Sequence, residues 1–276
     1  MTDLEILQKN LAQAEKLRSQ ADAIVLGQLD ELARIVSLSH GCLSPEGAAA
    51  AYSKAFPDSW LLSEDFAVFL QLLWKQNLLE PAPIFDVAES PKTSLLYYVP
   101  NSYTEAAQEK FSPLLPTAVP RPGADFQSIC EAAASEENGF CILPISSSAE
   151  GELPAFSRMI HEYQLKTRAV CDVTTSDGES ELRLALLGGQ IYWTRDTSYV
   201  EISLVPESDT QLIRALSAFH RLSGSLYRIN ARPMEYNMNK FYYKITVNIS
   251  PESIHCIAAF IKAAIPAGAS GAFHIL

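Results

Sequence analysis

Basic residues are scarce in this chain: 21 lysines and arginines stand against 32 aspartates and glutamates, for a formal net charge of −11. A surface of that sign repels phosphate backbones and anionic lipid, so nucleic acid and membrane are excluded as general partners. A small anion remains admissible only where arginines gather locally. Cysteine pairing is also missing. Cys42, Cys130, Cys141, Cys171 and Cys256 are odd in number and scattered, with no C-x-x-C pair and no zinc spacing. Free thiols in a reducing cytoplasm are the expectation. His40, His161, His220, His255 and His274 stand apart from partners at ligand spacing, so no metal site is expected. No apolar run approaches membrane-spanning length, and the acidic, glutamine-rich start does not read as a leader segment. A Gly-rich phosphate loop and a G-x-S-x-G element are both lacking, and no cofactor is expected.

What remains is an ordinary globular balance, 48% hydrophobic and 19% charged over 276 residues, enough for two or three small domains. Residues 1–38 carry a helical stripe, Leu4, Leu7, Leu11 and Ala14, then Ala21, Val25, Leu29, Leu32 and Val36. Ser39-His40-Gly41 ends it, Gly41 suiting a left-handed cap. Pro45 opens a second helix through Ala48–Phe56, and Ser63-Glu64-Asp65 starts a third through Asn77. Such a bundle cannot bury the long stripe alone, so the first helix is expected to pair with a second subunit.

Glu80-Pro81-Ala82-Pro83 reads as a linker, after which strands and helices alternate. Strands are predicted at Leu95–Val99, Phe140–Ile145, Thr167–Thr174 and Leu182–Trp193, with Ser176-Asp177-Gly178 as a hairpin turn. The wholly apolar Phe140–Ile145 suits a parallel strand covered on both faces. Helices are predicted at Thr104–Phe111, Phe126–Ser135 and Leu153–Tyr163. From Tyr199 onward the order is strand Tyr199–Val205, helix Ser208–Leu222, strands Ser225–Arg232 and Phe241–Ile249, helix Pro251–Ile265 and strand Gly271–Leu276. This β-α-β-β-α-β order is ferredoxin-like.

Three short stretches carry a family resemblance. Asn101-Ser102-Tyr103-Thr104-Glu105-Ala106-Ala107 is similar to the Gly-Thr-Phe-Ser-x-x-Ala helix start of prephenate dehydratases. Its hydroxyls and free backbone N–H groups suit either a helix cap or an anion. Pro144-Ile145-Ser146-Ser147-Ser148-Ala149-Glu150-Gly151 resembles that family's Pro-Ile-Glu-Asn-Ser-x-x-Gly, with Ser146 and Ser147 in place of the substrate-orienting Glu and Asn. Leu182-Arg183-Leu184 matches its Thr-Arg-Phe. There the resemblance implies a carboxylate-holding role for Arg183, against the alternative of a surface strand arginine, and Leu182 cannot replace the proton-donating threonine. About thirty residues separate Gly151 from Arg183, where a complete dehydratase inserts a second lobe.

The last ~80 residues resemble an ACT regulatory domain, whose amino-acid site would map onto Thr210-Gln211-Leu212 and Asn230-Ala231-Arg232-Pro233. The first three helices resemble a chorismate mutase domain in which the helix-one arginine positions hold Gln8 and Val25. The expected fold class is therefore a multidomain α+β and α/β protein. Residues 1–85 form an N-terminal helical bundle. Residues 86–196 form one truncated, periplasmic-binding-protein-like α/β lobe, and residues 197–276 a ferredoxin-like βαββαβ ACT domain.

The resemblance implies a link to phenylalanine biosynthesis, with chemistry eroded and small-carboxylate or amino-acid binding retained. An active dehydratase would rely on Arg183, Ser102, Thr104 and Ser148. A third possibility is a regulatory subunit of an authentic dehydratase or mutase. The expected assembly is a homodimer through the N-terminal helix and the ACT units, in the cytoplasm.

Overall fold

The computed structural model describes residues 3–39, 41–83, 93–174, 181–234, 237–265 and 268–276. The predicted Ser176-Asp177-Gly178 turn lies outside them. The chain divides into two compact units that interleave in sequence: Met1–Pro81, Pro206–Ser223 and His255–Pro266 form a helical unit, and Ala82–Val205, Gly224–Ile254 and Ala267–Leu276 form a sheet unit.

In the helical unit, α1 runs Asp3–Ser39, α2 Pro45–Ala55, α3 Glu64–Lys75, and a later pair spans Asp209–Arg221 and Ile254–Ala264. Local signals set the boundaries. Pro45 sits in the first turn of α2, and Ser44 caps it by accepting from the Gly47 N–H. Ser63 caps α3 by accepting from the Phe66 N–H. Gly41, just past α1, has φ of +70°, the left-handed conformation that a glycine adopts without strain. The core is aromatic. Tyr52 meets Phe66 edge-on at 5.1 Å, and Phe260 meets Phe66 at 6.1 Å and Phe219 at 5.4 Å. Each buried ring contributes on the order of 2–3 kcal/mol. Arg221 pairs with Glu64 at 3.1 Å and Lys262 with Glu46 at 3.0 Å. The helices flanking the C-terminal strands thus complete the N-terminal core within one chain. The stripe on α1 is used only in part: Leu29, Ala33 and Val36 are buried, whereas Leu11 is exposed and Val25 only half-buried.

The sheet unit holds β1 (Ser94–Tyr98), β2 (Ala118–Pro122), β3 (Gly139–Ser147), β4 (Gly151–Glu152), β5 (Lys166–Thr174), β6 (Glu181–Gly188), β7 (Tyr199–Leu204), β8 (Ser225–Met234), β9 (Asn237–Asn248) and β10 (Ala269–Ile275). They form one sheet in the order β2-β1-β3-β6-β5-β10-β7-β9-β8, with β4 paired to β3. The segment β10-β7-β9-β8 has the antiparallel pattern of a ferredoxin-like unit. Its edge strand β10 pairs in parallel with β5, fusing the two predicted sheets.

Helices α4 (Ser102–Phe111), α5 (Phe126–Ser135) and α6 (Pro154–Glu162) cover the first half. Ala107 and Phe111 of α4 pack with Ile142, Cys171, Leu184 and Leu186 on one face. Ile129 and Ala133 of α5 and, at its rim, Met159 and Ile160 of α6 pack with Cys141, Leu143, Ala185 and Leu187 on the other. The architecture is thus multidomain α+β, with an N-terminal helical region, an α/β lobe and a C-terminal ferredoxin-like arrangement.

Several details differ from the sequence reading. β2, Ala-Val-Pro-Arg-Pro, adds a strand to those predicted; its prolines, which cannot donate to a ladder, are tolerated because it lies at the sheet's edge. β3 is parallel to β1 but antiparallel to β6, so its apolar run reflects two covered faces in a mixed sheet. β6 stops at Gly188 rather than Trp193, and the last helix begins at Ile254 rather than at Pro251.

Gly139 marks the tightest junction in the lobe. A Cβ there would lie 2.8 Å from the Ala133 carbonyl oxygen and 2.9 Å from Glu136 Cβ. Since backbone cannot rotate away, Gly139→Ala is expected to destabilise the protein by roughly 1–3 kcal/mol, read as a lower urea midpoint. An unchanged midpoint would show that α5 and β3 are not locked together.

Candidate functional site

The motif residues fall into separate places, most of them engaged locally. Asn101 caps α4, its side chain accepting from the Tyr103 and Thr104 N–H groups at 3.0 Å each. Thr104 is buried; its hydroxyl accepts from the Asn101 N–H and lies 2.6 Å from the Val99 carbonyl, to which it donates. The capping residue is thus Asn101, with Thr104 completing the box, rather than Ser102 or Thr104 as the cap itself. Ser102 occupies the first turn, exposed. Ser148 accepts from the Glu181 N–H at 2.9 Å, tying the end of β3 to the start of β6, and Ser147 accepts from the Glu150 N–H at 3.0 Å in the β3–β4 corner. Ser146 lies in register with Arg183 across β3 and β6. Thr210, Gln211 and Leu212 begin the Asp209–Arg221 helix (α7) in the helical unit, where Gln211 accepts from the Glu207 N–H at 2.6 Å.

Strand alternation divides the supposed catalytic set. Leu182, Leu184 and Leu186 face the α4 layer, so Arg183, with Ala185 and Leu187, points to the α5–α6 side. Arg183 is therefore on the face opposite the helix that carries Ser102 and Thr104. There it is gripped by Asp172: Nε to Oδ1 is 2.7 Å and Nη2 to Oδ2 is 2.8 Å, a bidentate pair that is about one-third exposed. Hydrogen bonds from Arg183 hold the Asp172 carboxyl below its usual range despite partial burial, and they hold the guanidinium firmly protonated in return.

On this same face the second group of predicted residues arrives from β8. Asn230 donates to Glu152 at 2.9 Å, and Arg232 pairs with Glu152 at 2.8 Å. β3 and β8 are six strand spacings apart in the sheet order, about 29 Å if it were flat. Contact between β4, which pairs with β3, and β8 therefore requires the sheet to curl. Inside the curl lies a crevice of about 50 Å³ whose lining includes Arg183, Asn230, Glu152, Arg228, Lys244 and Glu201. The residues predicted for two different sites, Arg183 and Asn230, share one crevice, with Arg232 at its border through Glu152. Ala231 and Pro233 alternate with these residues along β8 and are exposed.

Glu152 is the hub. Burial would raise its pKa, but the Ser157 hydroxyl at 2.7 Å and the charges of Arg232 and Lys244 outweigh that and bring it below the ordinary carboxylate range. Lys244 pairs with Glu201 at 3.0 Å, and Ser270 donates to Glu201 at 2.9 Å. Sequence reasoning missed Glu152, Glu201, Arg228 and Lys244. The available signal was charge at inward positions of alternating strands. On the α4 side, Arg168 is buried between the rings of Phe140 and Tyr192, at 5.0 and 4.7 Å, an interior packing role. Among the described residues no group of side chains suits a metal ion, and no helix is long and apolar enough to cross a membrane.

No protein-family model and no curated protein matches the chain. Solved structures do. The prephenate dehydratase of Streptococcus mutans matches with a TM-score of 0.51 at 17% identity, over 66% of this chain and 98% of that one. The Arthrobacter aurescens prephenate dehydratase in complex with L-Phe gives 0.49 at 13%, over 65% and 89%. GqqA, described as a quorum-quenching acylase, gives 0.47 at 12%, over 65% and 94%. The fold is that of prephenate-dehydratase-like proteins.

Asp172 and Glu152 have folded pKa values below their unfolded ones, so their stabilisation is present above about pH 4 and is lost as pH falls through the lower folded values. Arg183→Gln should lower stability by about 1 kcal/mol at pH 7, discounted for exposure. The gap between variant and parent should close on acidification towards pH 3. A gap independent of pH in urea titrations would mean that Asp172 is not the partner that matters.

Proposed function

We propose that this chain is a dehydratase-like scaffold relieved of dehydratase chemistry, related to aromatic amino-acid metabolism by descent and retained for binding a small carboxylate or amino acid. The observation that carries the reading is the fate of Arg183. The side chain at the family's carboxylate-holding position already has a carboxylate, Asp172, bound bidentately. A substrate would have to displace an internal anion held at close range. The other hydroxyls are equally committed: Thr104 to a capping box, Ser148 to the start of β6. Leu182, at the acid position, offers no proton. Between Gly151 and Arg183 the described chain holds only β4, α6, β5 and the start of β6, so the insertion that would wall a cleft has no counterpart among the described residues. Without that wall, a reacting ligand would lack both orientation and exclusion of water. The reading keeps the three successive segments 1–85, 86–196 and 197–276 as an evolutionary partition, with an ACT-like last segment.

The test is direct. Purified protein incubated with prephenate should release phenylpyruvate no faster than a buffer control. Turnover abolished by Arg183→Ala would instead establish the active-enzyme reading.

The same proposal makes the assembly a homodimer through α1. Leu17 and Ile24 are 59% and 64% exposed, and Leu11, Ile35 and Leu38 add to the apolar surface of the same helix. Gly27 has no atom within 4 Å of a would-be Cβ, so a second helix can approach the backbone closely. A second copy supplies such a helix with the same exposed residues, as an isologous interface requires. Ile24→Glu is expected to convert a dimer to a monomer in sedimentation equilibrium. A parent protein that is monomeric at micromolar concentration would refute this assignment.

A further inference from the structure

We infer that the crevice inside the curled sheet binds one small aliphatic monocarboxylate, with the Arg228 guanidinium as its anchor. This rests on the binding half of the function proposed above and assigns it a place and a ligand class. Four cations gather in and around the crevice, Arg183, Arg228, Arg232 and Lys244. Three carboxylates answer them: Asp172 takes Arg183, Glu152 takes Arg232 and Glu201 takes Lys244. Arg228 is left over. It lines the crevice, half-buried, and among the described residues its hydrogen-bond partner is the neutral Asn230 amide oxygen at 3.3 Å. That amide is itself divided, its nitrogen donating to Glu152. One surplus positive charge in a protein of net charge −11 selects a single anion.

Size and shape narrow the class. At about 50 Å³ the crevice is small, which suits a ligand of few heavy atoms better than one carrying an aromatic ring. A guanidinium offers two parallel donors that match a planar carboxylate better than a spherical halide. The crevice also has an apolar side, Ile145, Ile160, Val170 and Phe273, against which a methyl or ethyl group can rest. Phosphate would bring a second charge towards Glu152 and Glu201, which have no spare cation to share. An amino acid's ammonium would have to compete with Lys244 and Arg232 for the same two carboxylates.

The test is a titration of the full-length ¹⁵N-labelled protein with sodium acetate at constant ionic strength, with chloride as the balancing anion. Acetate and propionate are expected to move the amide signals of Arg228, Asn230 and Thr246 saturably. Acetamide, which lacks the charge, and benzoate, which lacks the fit, should not. Arg228→Gln should weaken acetate binding by about tenfold or more. Should that variant fold poorly, Asn230→Asp places a competing carboxylate beside Arg228 and should abolish saturation likewise. Shifts that grow linearly with acetate, or saturation unchanged in either variant, would overturn the assignment, and so would equal binding of benzoate or of phosphate. Phenylpyruvate formation is scored separately: turnover there would sink the non-catalytic reading while the titration still decides the crevice.

Discussion

The sheet unit depends on one pairing, the parallel alignment of β10 with β5. Without it the ferredoxin-like strands and the α/β lobe would be separate sheets, each with an open edge. With it, ten strands share one hydrogen-bonded surface that twists far enough to bring β4 against β8. Gly271 lies at the junction: a Cβ there would sit 2.8 Å from Thr167 Cβ, so only glycine permits the strands to approach. The curl, the crevice and the convergence of Arg183 with Asn230 all follow from this contact.

Given that geometry, the residues at the resembling positions have structural duties. A carboxylate clamp turned inward on Asp172 stabilises a strand pair, and a hydroxyl used in a capping box fixes a helix entry. Each such contact is worth on the order of a kcal/mol.

The sequence made much of this readable, and physical reasons separate what it showed from what it hid. Helix α5 and the ferredoxin-like order were legible because local periodicity and capping residues set them. β2 was hidden because its two prolines argue against any strand whose position in the sheet is unknown. The pairing of Arg183 with Asp172 was invisible because it depends on β5–β6 register across an eleven-residue separation. The crevice was hidden for a deeper reason: Glu152 and Asn230 are far apart in the chain, and only the twist of intervening strands unites them. The limited use of the α1 stripe was likewise obscure, because periodicity reports a face without saying how much of it the chain will cover.

The prolines of β2 carry a last implication for how this sheet can grow. Pro120 and Pro122 pair with Leu96 and Tyr98, two residues apart, so both imide nitrogens share one side of the strand. In a regular ladder that side is the outward one, since the inward nitrogens are those bonded to β1. The outer margin therefore offers no donors at either position. A strand added there would find only carbonyl acceptors at these two positions, so recruitment along this margin is disfavoured.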